Sequence, residues 1–127
     1  MKLTKSNEDY LEAIYLIGKE KKNVGVKDIS VFLDISLPSV SEAMKKLNKK
    51  DLVKNERYGK IKLTEKGKKT ARKVYDKHKT LLDFLTKILK VENKTALQEA
   101  CLIEHFISSD TNKKLKNFVK KLKNNRR

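Results

Sequence analysis

The residues best suited to chemistry lie in one short stretch of the C-terminal half. Cys101, Glu104 and His105 stand at positions i, i+3 and i+4, a spacing that puts side chains on one face of an α-helix. Thiolate, carboxylate and imidazole groups are all ligands of first-row transition metals. The chain has a single cysteine and two histidines, so a cysteine and a histidine would rarely fall within one five-residue stretch by chance. This spacing predicts a metal site.

The composition indicates the fold type and the compartment of the protein that holds these groups. One proline and four glycines in 127 residues predict a mainly α fold. A single cysteine excludes an intrachain disulfide and suits a reducing compartment. No apolar run approaches the roughly 20 residues of a membrane span, and the N-terminus has no signal-peptide apolar region. We therefore expect a cytoplasmic protein with no membrane partner.

The net charge of +16 is concentrated in two regions. Residues 1–70 carry 17 basic and 10 acidic side chains, and residues 113–127 carry eight basic and no acidic ones. A polyanion is the natural partner of such a chain, because neutralised phosphates release counterions. The alternative is a lysine-rich surface that is merely solvated. For the basic C-terminal helix, docking on its own domain, added DNA affinity and fraying beyond about Lys123 all stay open.

Hydrophobic periodicity predicts six helices and one β-hairpin. Two short helices, the second opened by Pro38, form a helix-turn-helix, and the hairpin that follows forms a wing. We expect a winged helix-turn-helix DNA-binding domain over 1–70 and a helical metal-binding and dimerisation domain over 71–127. The predicted helices cover about 7–21, 26–33, 38–49, 64–90, 93–105 and 110 onward, and the predicted strands cover 52–57 and 60–64.

A winged helix-turn-helix places its second helix in the major groove of DNA. Hydroxyls at its start can contact phosphates or base edges, and a proline ring can touch a thymine methyl. Glu42 can accept from a cytosine amino group or pair with Lys46, and both possibilities stay open. The predicted DNA-contacting residues are Ser36, Pro38, Ser39, Ser41, Glu42, Lys45 and Lys46 on the helix, and Arg57, Tyr58 and Lys60 in the wing.

Three further residues have ligand chemistry but an ordinary explanation. Asp9 and Glu12 lie at i, i+3 in the first helix, where acids usually complement the helix dipole. His78 lies inside the apolar stripe of the long helix, where a lone histidine is usually a core residue. The residues alone do not decide between these interpretations.

Several stretches are similar to one family of regulators. They are Glu8-Asp9-Tyr10-Leu11-Glu12-Ala13-Ile14-Tyr15, Pro38-Ser39-Val40-Ser41, Ile61-Lys62-Leu63-Thr64-Glu65-Lys66-Gly67, His78 before Leu81-Leu82, and Glu99-Ala100-Cys101-Leu102-Ile103-Glu104-His105. Over about residues 4–110 the chain resembles the metal-dependent repressors of the diphtheria-toxin-repressor and manganese-transport-regulator family. The resemblance implies a dimeric repressor that binds a palindromic double-stranded DNA operator when Mn²⁺ or Fe²⁺ links its two domains. It also implies a ligand set of Asp9, Glu12, His78, Cys101, Glu104 and His105.

The chain departs from the iron-responsive branch of this family at two points. Leu82 and Leu97 stand where that branch has ligands of a second metal site, so we expect that site to be missing. The chain ends at Arg127, so we expect the short two-domain type without an SH3-like domain. The carboxylates suit Mn²⁺, whereas the Cys101 thiolate favours Fe²⁺, Co²⁺ or Zn²⁺. We expect Mn²⁺ or Fe²⁺ as the cofactor, with Co²⁺ or Zn²⁺ able to substitute in vitro.

Three other functions compete with this interpretation. A winged-helix regulator not controlled by metal would share the same N-terminal half. A metal-dependent hydrolase is disfavoured because the chain has no H-E-x-x-H helix and no nucleophile with a dedicated base, so we expect no enzyme. A non-specific DNA-packaging protein would bind with a steep salt dependence and no operator preference. The homodimer is expected to use Leu81, Leu85 and Leu89 together with the fifth helix. The alternative is that this apolar stripe packs only within one chain.

Overall fold

A computed structural model describes residues 3–125 of the chain as two compact units, which divide between Arg72 and Lys73. Met1, Lys2, Arg126 and Arg127 lie outside the described residues, and the last two belong to the predicted basic helix. The fold is mainly α. The elements are α1 (Lys5–Glu20), β1 (Val24–Gly25), α2 (Val26–Leu33), α3 (Leu37–Lys49), β2 (Val53–Asn55), β3 (Lys60–Leu63), α4 (Glu65–Asp83), α5 (Asn93–Ile103) and α6 (Ser109–Asn125).

The first unit packs three helices with a three-stranded antiparallel sheet of order β1-β3-β2. The predicted hairpin is β2 and β3, with Val53 opposite Leu63. The strand β1, in which Val24 pairs with Ile61, was not predicted. It has only two residues, too few for the alternation by which a strand is recognised.

Apolar residues from each helix of the first unit meet in one core. Leu11 of α1, Ile29 of α2, and Val40 and Leu47 of α3 are all fully buried. Burying an aliphatic side chain of this kind stabilises a fold by about 1.5–3 kcal/mol. This core fixes α3 against α2 and leaves the opposite side of α3 exposed.

Side-chain caps set where the helices of the first unit begin. Thr4 accepts a hydrogen bond from the Asn7 amide at 3.1 Å, so α1 begins two residues before the predicted start. Ser36 caps α3, and Pro38 occupies its first turn. Thr64 caps α4, accepting a hydrogen bond from the Gly67 amide at 3.0 Å.

The second unit contains the later part of α4, α5 and α6. Its core consists of Leu81, Leu85, Ala96 and Ala100. Residues 84–88 form a π-helical turn, closed by the Leu89 amide donating to the Phe84 carbonyl at 3.1 Å. The predicted use of Leu81 and Leu85 in dimerisation is wrong. They are only 4% and 8% exposed within the single chain, because α5 already covers them.

The end of α5 differs from the prediction. The helix stops at Ile103 instead of running through His105, and Glu104 and His105 lie in the turn that follows. Glu104 nevertheless keeps helical dihedral angles, with φ −56° and ψ −27°. The predicted i, i+3 relation between Cys101 and Glu104 therefore survives.

The basic helix α6 docks on α4 within the second unit. Lys116 pairs with Asp76 at 2.7 Å, and Lys123 pairs with Asp83 at 3.0 Å. Burial alone would raise the pKa of Asp83, but the hydrogen bonds and positive charges of Lys123 and Lys87 together outweigh it and lower that pKa. Val119 is buried beside these pairs. Across residues 3–125, no helix combines the length and the apolar character needed to cross a bilayer.

Candidate metal centre and DNA-binding surface

Three of the predicted metal ligands meet in the second unit. His78 comes from α4, Cys101 from the last turn of α5, and Glu104 from the position directly after α5. The His78 Nδ1 atom lies 3.0 Å from Glu104 Oε1 and 4.0 Å from Cys101 Sγ. One ligand atom from each side chain lies within 4.8 Å of the other two. Nitrogen, sulfur and oxygen donors are thus gathered closely enough to share one cation.

Glu104 is the most deeply buried member of this group. Its side chain is 1% exposed, and its Oε2 atom has no hydrogen-bond partner among the described residues. Burying a carboxylate oxygen without a partner is costly, so native proteins seldom do it without a compensating ion or hydrogen bond. A divalent cation would supply that compensation, and the donor set therefore fits a metal.

The other predicted ligands stand apart from this trio. His105 is 8% exposed and follows Glu104 directly, but the clustered donor atoms in residues 3–125 do not include its ring. Asp9 and Glu12 are half-buried on α1 in the first unit, where Asp9 accepts a hydrogen bond from Lys5 at 2.9 Å. Their part in metal binding stays a prediction.

Lys77 supports the cluster and was not predicted. Its ammonium donates to the Ile107 carbonyl at 2.8 Å and ties α4 to the turn that follows Glu104 and His105. Lys77 is one of 32 basic residues, and nothing in the sequence around it distinguishes it from the others.

The predicted DNA-contacting residues of α3 form an exposed surface. The exposed residues are Ser36, Pro38, Ser39, Ser41, Glu42, Lys45 and Lys46. Ser36 also caps the helix and donates to the Ser39 hydroxyl at 2.9 Å. Glu42 and Lys46 approach to 4.0 Å with side chains 74% and 70% exposed. Such an exposed ion pair contributes little free energy, so it does not prevent Glu42 from contacting a DNA base.

The wing ends in a tight turn that exposes an aromatic side chain. Tyr58 has a left-handed backbone with φ 64°, and Gly59 follows with φ 72°. The Tyr58 side chain is 94% exposed, with Arg57 exposed beside it and Lys60 half-buried at the start of β3. The turn thus presents a ring and a guanidinium group to the outside.

Comparison with known proteins identifies both halves of the chain. Residues 2–61 match the N-terminal DNA-binding domain of iron-dependent repressors, and residues 64–127 match their metal-binding and dimerisation domain. The chain belongs to the iron-dependent repressor family. Metal-dependent transcriptional repressors of this family are similar to it in sequence and in structure.

Two relatives and two solved structures illustrate the likeness. A helix-turn-helix regulator of Methanocaldococcus jannaschii is 41% identical over 122 residues, which is 95% of this chain and 98% of that protein. The regulator MntR of Bacillus subtilis is 35% identical over 105 residues, 83% of this chain and 73% of MntR. The manganese regulator SloR superposes with a TM-score of 0.80 at 32% identity, and ScaR with bound Zn²⁺ with 0.76 at 30%. The chain is covered to 90% in both cases and spans about half, 53%, of those two chains.

Proposed function

We propose that this iron-dependent repressor family member binds a palindromic DNA operator as a homodimer when a divalent metal is bound. The observation that carries the proposal is the meeting of His78, Cys101 and Glu104 in a chain that also has a winged helix-turn-helix. The metal is proposed as a corepressor without a catalytic role, and the protein is proposed not to be an enzyme.

The proposed ligand set extends beyond the three clustered residues. His105 is included because it adjoins Glu104, and Asp9 and Glu12 because their spacing matches the pattern of the family. When bound, a divalent cation supplies the positive charge that holds carboxylates, a thiolate and imidazoles together. Without it, clustered carboxylates repel one another. Ligands from both halves of the chain would make metal occupancy and DNA affinity depend on each other.

This dependence must be reciprocal. Metal raises DNA affinity only through its preference for the DNA-binding arrangement, and DNA must tighten metal binding by the same factor. Couplings of this kind are typically about 1–3 kcal/mol, or about 5- to 150-fold. In a dimer, the two α3 helices would enter major grooves about 34 Å apart on the operator.

The proposed contacts of the winged helix follow from the chemistry of its exposed groups. The hydroxyls of Ser36, Ser39 and Ser41 suit phosphates or base edges, and the ring of Pro38 suits a thymine methyl. Lys45 and Lys46 suit phosphates, and Glu42 suits a cytosine amino group. In the wing, Arg57, Tyr58 and Lys60 are proposed to contact the DNA backbone.

The proposed dimer surface consists of exposed apolar residues of the second unit. They are Leu89, Leu97, Leu102, Ile103 and Phe106, each at least 40% exposed. Large exposed apolar patches mark interaction surfaces in soluble proteins. Of the three leucines that the apolar stripe of the long helix offers, Leu89 is the exposed one.

Mn²⁺ or Fe²⁺ is proposed as the physiological metal. Glu104 and the two acids of α1 favour Mn²⁺, whereas the Cys101 thiolate favours Fe²⁺ and also admits Co²⁺ or Zn²⁺. Selection of DNA sequences from a random pool in each metal would report metal identity, operator sequence and half-site spacing together.

The central test compares operator binding by wild type, His78→Ala and Glu104→Gln with and without Mn²⁺ or Fe²⁺. We expect metal to tighten binding by wild type at least about fivefold and to leave both variants unchanged. Glu99→Ala is the matched control, because Glu99 is an exposed carboxylate on α5 outside the cluster. It should keep the wild-type response.

A second readout separates metal binding from DNA binding. A metal at 100 times its dissociation constant stabilises the folded state by about 2.7 kcal/mol, so it should raise the melting temperature of wild type but not of Glu104→Gln. Equal operator affinity with and without metal in the wild type would favour the metal-independent regulator. A steep salt dependence without operator preference would favour the packaging protein instead.

A further inference from the structure

The outer face of α6 is strongly basic. Lys113, Asn117, Lys120, Lys121 and Asn124 recur at i, i+4, i+7, i+8 and i+11, a spacing that places them on one side of the helix. All five are exposed. Beyond Asp110, the chain carries no acidic side chain. Asp110, in the first turn of α6, lies on the same side and pairs with Lys114 at 3.3 Å. The groups of this face beyond that first turn are cations and amides.

The opposite side of α6 packs on α4, and these contacts hold the basic outer face in a fixed position. Lys116 and Lys123 are paired with Asp76 and Asp83 of α4, and Val119 is buried between the helices. Asn112 adds a hydrogen bond to Asp76 at 3.1 Å. Two lysines are thus used to dock the helix. Within the described chain, Lys113, Lys120 and Lys121 form no ion pair, so their charge is available to a partner.

We propose that the outer face of α6 contacts the phosphate backbone of DNA, as a sequence-independent surface separate from the winged helix. This inference rests on the proposed DNA-binding function. From Lys113 to Lys120 the helix rises about 10.5 Å. For a helix that lies along the DNA axis, that span matches about three base-pair steps of 3.4 Å. Asn117 and Asn124 can donate amide hydrogens to phosphate oxygens between the lysines.

DNA suits this face better than an anionic membrane does. A helix that lies on a bilayer inserts its apolar side among the lipids. In α6 that side is already occupied, because Val119 is 4% exposed and Leu115 packs against the core of the second unit. Phe118, at 49% exposed, is the one large apolar side chain of α6 left largely outside. What remains is a polar, cationic surface, which attracts phosphates without insertion.

The test uses Lys113→Gln/Lys121→Gln in the full chain. Its matched control is Lys90→Gln/Lys94→Gln, which removes the same charge from two exposed lysines of the second unit outside α6. Binding to an operator duplex and to an unrelated duplex is measured with saturating Mn²⁺ between about 50 and 200 mM salt, the range over which phosphate contacts weaken steeply. Each phosphate contact removed should lower the slope of log affinity against log salt by about 0.9.

In the α6 variant, we expect the slope of log affinity against log salt to be smaller by up to about 1.8 per protomer. Its affinity for both duplexes should fall by the same factor. The control should keep the wild-type slope. An unchanged slope in the α6 variant would overturn the inference, as would a loss confined to the operator, which would indicate base reading. Unchanged DNA binding with lost binding to phosphatidylserine vesicles would replace DNA by a membrane.

These outcomes are separable from failure of the proposed function. The function fails if wild-type affinity for the operator does not respond to metal, and the slope of the α6 variant can still be compared in that case. The α6 inference fails on the slope alone, even where the metal response is intact. Absence of any DNA binding by the wild type would overturn both.

Discussion

Glu104 shows what the local sequence can and cannot predict about a site. Its spacing from Cys101 and its chemistry mark it as a ligand, and the structure brings both beside His78. Its burial to 1% exposure follows from the way α5 packs on α4, and no local pattern encodes that packing. The same limit hid Lys77, whose role depends on a carbonyl 30 residues away.

Gly67 shows the opposite case, a residue whose type is dictated by a single close approach. A Cβ atom at this position of α4 would collide with the carbonyl of Leu52, a backbone group that cannot rotate away. Gly18, on α1, is also helical, but its Cβ would meet only the Val24 Cγ2 atom, at 4.0 Å. The two glycines therefore make a matched pair.

We predict opposite effects of alanine at these two glycines. Gly67→Ala should lower the free energy of unfolding by about 3 kcal/mol, since overpacking forces α4 away from the backbone of Leu52. Gly18→Ala should raise it by about 0.5–1 kcal/mol, because alanine favours the helix and meets open space. Urea unfolding followed by circular dichroism measures both. Equal effects of the two substitutions would contradict the assigned contact.

At the scale of elements, the long periodic helices were predictable and the short or terminal features were not. α1, α2 and α3 begin within about two residues of the predicted positions, because caps and apolar spacing act locally. β1 was not predicted, because it consists of two residues that pair with β3, a strand distant in the sequence. The π-helical turn at 84–88 and the end of α5 at Ile103 likewise depend on tertiary packing.

The start of α2 depends on a carboxylate that bridges two elements. Asp28 accepts hydrogen bonds at 2.9 Å from the Gly25 amide and from the Lys21 ammonium. The bond from Lys21 is the main reason that the pKa of Asp28 lies below its ordinary value, and the bond from Gly25 adds to it. A carboxyl group with a lowered folded-state pKa stabilises the fold above its unfolded pKa and loses that contribution as pH falls.

Asp28→Ala should therefore lower the free energy of unfolding by about 1 kcal/mol at neutral pH, the usual net contribution of an intramolecular hydrogen bond. The difference from wild type should shrink as pH falls below about 4, near the unfolded pKa of aspartate, because the wild-type carboxylate becomes protonated. Glu20→Ala, which removes an exposed carboxylate at the end of α1, serves as the control. A pH-independent difference for Asp28→Ala would argue against an ionic role for this side chain.

At the scale of the whole molecule, charge and apolar surface indicate two kinds of partner. The basic face of α3, the wing and the outer face of α6 suit DNA, whereas the exposed apolar residues of the second unit suit another copy of the chain. The sequence predicted the existence of a dimerisation surface but assigned it partly to Leu81 and Leu85. Periodicity identifies an apolar stripe without telling which neighbour will cover it.

We predict that Leu97→Glu dissociates the homodimer, because a charge would be buried in the proposed interface. Leu97 is 49% exposed on α5. The control is Val31→Glu, which introduces the same charge at a 74% exposed apolar residue of the first unit. Analytical ultracentrifugation at micromolar concentration should find monomers for Leu97→Glu and dimers for the control. Dimers in both variants would place the interface elsewhere.

The exposed thiol of Cys101 can be used to measure metal occupancy. It is the sole cysteine of the chain, so an alkylating reagent such as iodoacetamide can modify no other thiol. A cation held by that sulfur would slow alkylation, and mass spectrometry would count the protected fraction directly. Occupancy could then be titrated metal by metal in native protein, with no operator, no fluorophore and no engineered residue.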